Sequence, residues 1–187
     1  MLGAPAKLDD ALQGDEEAAW EFRCANTDPF GLGHAALAAY WLGTPVPAYQ
    51  VLLRAGWSDD WLSMTKAVTG DRRLIRRVFR AARFEHTIDA GVIPVYRGAS
   101  GVDLAEASTG ISWTTRRDVA CWFAYRYPQR PGEPIELSAH IHTSRIIYYD
   151  DDRFEAEVIL NRPIRASVDS DPSSWRAAME RYAGTIR

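Results

Sequence analysis

Cysteine is scarce: Cys24 and Cys121 are the only two in 187 residues. They have no metal-knuckle spacing and form no framework of pairs, so they read as buried thiols of a reducing compartment. No sign of charge dominates either. Lys and Arg number 22 and Asp and Glu 25, for a formal net charge of −3. That balance gives no global attraction for nucleic acid or an anionic membrane, and it argues against a nucleic-acid acceptor. A long unbroken apolar run is also missing. Residues 29–53 carry no charged side chain, but Gly31, Gly33, His34, Gly43, Pro45, Pro47 and Gln50 interrupt them. A spanning helix wants about 20 predominantly apolar residues, so two short helices around Gly43-Thr44-Pro45 are expected and no membrane partner. The opening stretch MLGAPAKLDDALQGDEE is acidic and has no apolar centre. It does not read as a signal peptide, and the expected location is the cytoplasm, or delivery as an effector by a non-classical route. There is no internal repeat and no low-complexity tract.

What is present is an ordinary globular composition, 47% hydrophobic and 25% charged, with two regions of different periodicity. Residues 1–88 read as a helical N-terminal region. HAALAAYWL (34–42) and AYQVLLRAG (48–56) are apolar helices, the second ending at Gly56 as a left-handed cap. Ser58 caps a third helix ending near Gly70, and a fourth covers 71–85. Residues 89–187 change period. VIPVYRGAS (92–100), GISWTT (110–115), PIELSAHIHT (134–143), RIIYY (145–149), EAEVIL (155–160) and PIRASV (163–168) read as strands. RRDVACWFAYRY (116–127) and SSWRAAMERYA (173–183) have helical spacing. Helices first, then strands with an inserted helix, predict an α+β fold.

The strand EAEVIL poses a chemical question. On a strand, Glu155 and Glu157 point the same way, about 6.6 Å apart. Like charges repel, and burial raises the cost, so paired carboxylates running into Val158-Ile159-Leu160 need a reason.

Three pieces in order supply one. Tyr96-Arg97-Gly98 ends a strand, Ser112-Trp113-Thr114 precedes a helix, and Glu155-Ala156-Glu157 opens the apolar run. Together, over residues 92–168, they resemble the mono-ADP-ribosyltransferases of the Arg-Ser-Glu class, the cholera-like and binary toxins among them. The resemblance implies a core of two packed antiparallel sheets around an NAD cleft. It implies cleavage of the nicotinamide–ribose bond of NAD, the only cofactor and itself a substrate, with no metal, and transfer of ADP-ribose to a protein.

The resemblance assigns the roles. Glu157 stabilises the oxocarbenium-like ribose, as a carboxylate does in glycoside hydrolysis. Glu155 orients and deprotonates the acceptor, and Glu at that position goes with arginine acceptors. Arg97 anchors the anionic part of NAD with its planar fork. Gly98 lets the nicotinamide amide approach the backbone. Ser112 holds the catalytic Glu or the ribose, and Thr114 supports it; Trp113, where the family usually has a small residue, is counted with the cofactor-binding residues, although alternation points it away from Ser112 and toward packing. The preceding loop, with Tyr149, Asp151 and Phe154 among Asp150 and Asp152, is expected to recognise an arginine on a basic protein surface.

Alternatives remain at this level. Water in place of the acceptor gives an NAD glycohydrolase. A catalytically silent module would use the Arg-rich helix 71–85, whose arginines flank Leu74, Ile75, Val78 and Phe79, to dock an acidic partner. His140 and His142 alternate on a strand, but no further ligand lies at metal spacing.

Overall fold

The computed structural model describes residues 4–26, 31–126, 133–168 and 172–185. The chain divides into two compact units, Met1–Phe84 and Glu85–Arg187.

The first unit is helical: α1 (Ala4–Leu12), α2 (Glu16–Ala25), α3 (Leu32–Leu42), α4 (Val46–Ala67) and α5 (Arg72–Ala82). The turn at 43–45 separates α3 from α4, with Gly43 in the left-handed conformation at φ 69°. Gly56 does not end a helix, as the sequence suggested; α4 runs through it and departs from helical geometry only at Asp60, φ −142° and ψ 37°. Helix crossing explains that glycine. A Cβ on Gly56 would lie 2.8 Å from both the Ala36 Cβ and the Leu32 carbonyl oxygen, so α3 and α4 meet at backbone contact. Asp71 caps α5, its carboxylate accepting from the Arg73 and Leu74 N–H groups at 2.8 and 3.1 Å.

The second unit contains β1 (Val92–Ser100), α6 (Leu104–Ser108), β2 (Ser112–Thr114), α7 (Arg117–Tyr125), β3 (Pro134–His142), β4 (Ile146–Asp150), β5 (Glu157–Leu160), β6 (Ser167–Val168) and α8 (Pro172–Thr185). The fold is therefore α+β. The sheet differs from the expected pair of packed sheets. It is one open, antiparallel, six-stranded sheet in the order β4-β5-β2-β1-β3-β6. Its weak seam is central: β1 and β2 share the single rung Tyr96–Thr114, whereas β1 and β3 pair along nine rungs from Val92–His142 to Ser100–Pro134. Two three-stranded halves thus hinge on one rung.

Alternation sorts the sheet into two faces. One carries the apolar cluster of Val95, Trp113, Leu137, Val158 and Leu160, covered by Ala107 of α6 and by Ile164. The other is crossed by α7. A Cβ on Gly98 would stand 1.8 Å from the Ala120 carbonyl oxygen and 2.6 Å from the Ala124 nitrogen. The helix is pinned there by charge: Arg117 Nε donates to Glu136 Oε1 at 3.0 Å, and Glu136 is 0% exposed. Arg117 also donates to Ser174 Oγ of α8 at 2.6 Å.

Candidate active site

A polar row crosses the sheet. From edge to edge, the aligned residues are Asp150, Glu157, Thr114, Tyr96, Ser138 and Ser167, one from each strand. Residues opposite one another share a face, so all six side chains start from the α7 side. The row passes through the single rung that joins the two halves. Glu157 stands between Asp150 and Thr114, one carboxylate facing another across neighbouring strands. Such a pair costs energy unless a cation or a proton comes between.

Glu155 reaches this place by another route than the sequence implied. It lies outside β5, which starts at Glu157, so strand alternation does not align the two glutamates. Phe154 and Ala156, on either side of Glu155, instead have left-handed backbones with φ of 57° and 44°. Neither is glycine, and such conformations cost about 1–2 kcal/mol per residue. The strain is held by specific bonds. Thr114 Oγ1 donates to the Glu155 carbonyl at 2.6 Å and accepts from the Arg116 N–H at 3.0 Å. Arg116 Nη1 donates to the Phe154 carbonyl at 2.9 Å. Asp151 Oδ1 accepts from the Ala156 N–H at 2.9 Å. Arg116 is itself fixed by Asp118 at 2.8 Å and lies 5.5 Å from the ring centroid of Tyr182 in α8.

Glu155 is mostly covered, and its carboxylate meets Arg153 at 3.2 Å. Burial pushes its carboxyl above the ordinary glutamate value; Arg153 and Arg126 pull it back, and Asp150 adds to the rise. A carboxylate raised in this way is a better proton acceptor than a solvated one. Arg126 is presented by stacking, 4.4 Å from the ring centroid of Trp122 and 4.8 Å from that of Phe123. Phe154, next to Glu155 in the chain, is 61% exposed.

The other expected site residues divide. Ser112 shares the face of Thr114 but pairs with Ile159; the hydroxyl on the rung of Glu157 belongs to Thr114. Trp113 faces the opposite way, is 2% exposed, and belongs to the apolar core, donating Nε1–H to the Gly110 carbonyl at 3.3 Å. Core packing, not cofactor contact, accounts for it. Tyr149 likewise packs against that core. Gly98 is explained by α7, which fills the space where the nicotinamide amide was expected. Arg97 follows Tyr96 on β1 and so begins from the core face, opposite Glu157. Its guanidinium lies over Gly110, where a Cβ would come within 2.2 Å of Nε, and donates to the Ser112 carbonyl. It closes the seam between β1 and β2 and is not brought together with Glu157.

The aspartates serve the loop. Asp150 accepts from the Tyr148 hydroxyl at 2.6 Å and from the Asp152 N–H at 3.0 Å. His142 Nδ1 accepts from the Ser144 N–H at 3.2 Å, so it caps a turn. Among the described residues, no group of three or more His, Cys, Asp or Glu is placed to hold a metal, and no helix is long and apolar enough to cross a membrane.

Sequence reasoning missed Tyr96 as a member of the row, and Arg116, Arg126 and Tyr182 around Glu155. Parity along β1 separates Tyr96 from Arg97, but only the register with β2 says which of the two faces Glu157. Among models of known families, curated proteins and solved structures, none matches the chain.

Proposed function

We propose that the chain is an NAD-dependent mono-ADP-ribosyltransferase that cleaves the nicotinamide–ribose bond and transfers ADP-ribose to an arginine of a protein acceptor. The observation that carries this reading is the juxtaposition of Glu157, facing Asp150 and Thr114 across the sheet, with Glu155 on a strained loop anchored to the same Thr114. Carboxylates gathered on neighbouring strands and the adjoining loop suit a reaction in which a cation develops beside them.

In this reading Glu157 faces the ribose as its bond to nicotinamide loosens. Its negative charge stabilises the oxocarbenium-like centre and accepts a ribose hydroxyl. Thr114 is a positioning residue: its hydroxyl fixes the loop carrying Glu155. Glu155 accepts the proton lost by the incoming guanidine, and its raised carboxyl suits that task. Phe154 offers an exposed ring on which a guanidinium can stack, a contact worth about 0.5–1 kcal/mol. Tyr96 and Ser112, on the same face, are available to the nicotinamide ribose.

Incubating the chain with labelled NAD and an arginine-rich protein, then mapping the modified residue by mass spectrometry, tests the reading. Label on arginine nitrogen is expected. Free ADP-ribose without labelled protein would make the chain an NAD glycohydrolase, and absence of NAD binding would leave a silent interaction module.

A further inference from the structure

The arginine nearest the acceptor-handling carboxylate is the chain's own. Arg153 Nη2 lies 3.2 Å from Glu155 Oε2, and the Arg153 side chain is half exposed while that of Glu155 is mostly covered. The left-handed turn at Phe154 lies between them and brings two side chains separated by one residue into contact. Glu155 and Glu157 are also two positions apart, so their Cα atoms are at most about 7 Å from one another. A guanidine in contact with Glu155 is therefore carried on the same short stretch of chain as Glu157. The neighbouring arginines are held differently: Arg116 by Asp118 and the Phe154 carbonyl, Arg126 over Trp122 and Phe123.

We infer that Arg153 is an automodification site, taking ADP-ribose in cis when no other guanidine is supplied. The inference deepens the transferase reading and rests on it. In the step, the C1′–N bond to nicotinamide breaks and its electron pair leaves with neutral nicotinamide. A guanidino nitrogen of Arg153 forms the new bond to C1′, and its proton passes to the Glu155 carboxylate and then to water. The products are nicotinamide, one proton and an N-glycosylated arginine, so no further reactant is needed. Because Arg153 is half exposed, the adduct extends into solvent without displacing buried side chains. It removes the Arg153–Glu155 contact and covers the approach to Glu155, so transfer to other acceptors slows as the adduct accumulates.

The test uses the full chain with NAD and no added acceptor. Nicotinamide release is followed by chromatography and the protein by peptide mass mapping. One ADP-ribose on Arg153 is expected, formed with a first-order rate constant that stays the same over a tenfold dilution of the protein. Arg153→Lys should carry no adduct at that position, yet release nicotinamide when the small guanidine agmatine is added. Nicotinamide release with ADP-ribose on another residue, or only on added agmatine, would overturn the assignment of Arg153 and leave the transferase reading standing, whereas ADP-ribose that stays free even with agmatine would overturn both. A rate constant proportional to protein concentration would overturn transfer in cis. No nicotinamide release from NAD, with or without agmatine, would overturn both.

Discussion

The two units use their side-chain-to-backbone hydrogen bonds differently. In the helical unit Asp60, Tyr49 and Gln50 each join one helix to another. Asp60 of α4, 5% exposed, accepts from the Gly31 and Gly33 N–H groups at 3.0 Å each, capping α3 from outside its own sequence. Tyr49 donates to the Val78 carbonyl at 2.7 Å, and Gln50 to the Ala82 carbonyl at 2.8 Å. In the sheet unit, Thr114, Arg116 and Asp151 all converge on one short loop with two left-handed non-glycine residues. The first pattern satisfies backbone groups that helix ends leave open. The second holds a loop in a shape it would not adopt alone; the left-handed non-glycine residues of the helical unit, Thr69 and Arg83, instead lie at helix ends.

The largest effect should come from the charge that pins α7. Glu136 is fully buried and Arg117 is its partner. Arg117→Leu leaves a buried carboxylate without that cation, and removing one member of a buried pair costs about 3–5 kcal/mol. Chemical denaturation should show it, with loss of hydrogen-exchange protection centred on α7 and β3. A loss below about 1 kcal/mol, the worth of an exposed pair, would mean that α7 is held by apolar packing alone.

Asp60→Ala comes next. It removes a charged acceptor from two backbone N–H groups, at about 1.5–3 kcal/mol for such bonds. Burial pushes the Asp60 carboxyl up, but hydrogen bonds from Ser63, Gly33 and Gly31 together outweigh it and hold it below its ordinary value. A lowered carboxyl contributes stability above its unfolded pKa of about 3.9 and loses it as pH falls through the folded value. Wild type should therefore lose stability in acid faster than Asp60→Asn. Parallel acid titrations of the two would contradict the capping role.

Ala156→Gly sharpens the contrast between scaffold and site. In an ordinary strand, Ala→Gly costs about 0.5–1 kcal/mol. At φ 44° glycine is relieved of strain, so the change is expected to be neutral or stabilising by up to about 1 kcal/mol. Transfer should nonetheless fall, because the loop no longer has one shape. A stability loss of ordinary size would show that Ala156 is not strained.

The smallest effect on stability should come from Glu155→Gln. A raised carboxyl resists ionisation in the folded state, so its contribution is full below the unfolded pKa and lost as pH rises through the raised folded value. At neutral pH the variant should melt slightly above wild type, and below the unfolded value the two should converge. Transfer to arginine should drop sharply, and wild-type transfer should fall off in acid at a higher pH than an ordinary glutamate would set. The reverse melting order would mean that the ion pair with Arg153 outweighs burial.

Much of the fold was legible because the residues repeat with clear periods. β1 occupies 92–100 as the β-branched run suggested, and α7 follows Ser-Trp-Thr as its spacing required. What failed was tertiary in origin. Gly56 looked like a stop because the sequence does not show that α3 will press against it. Two sheets were expected where one is joined by a single rung, since strand pairing has no local signal. Tyr149 drew attention as an aromatic near a polar motif, but it packs against the core, as does Trp113, whose alternation with Ser112 already pointed it there. Glu157 sits where a site can form, while the relation of Glu155 to it comes from a strained loop that no alternation rule describes.

The central claim is that the carboxylate of Glu157 acts on charge that develops as nicotinamide leaves. Release of nicotinamide from NAD, measured for wild type and for Glu157→Gln with NAD affinity determined alongside, tests it most directly. Loss of one well-placed electrostatic group costs about 10²–10³ in rate, and a group acting only in the transition state leaves substrate binding nearly intact. The account predicts a fall of that size in release with little change in NAD affinity. Equal rates for the two proteins, or no release by either, would contradict it.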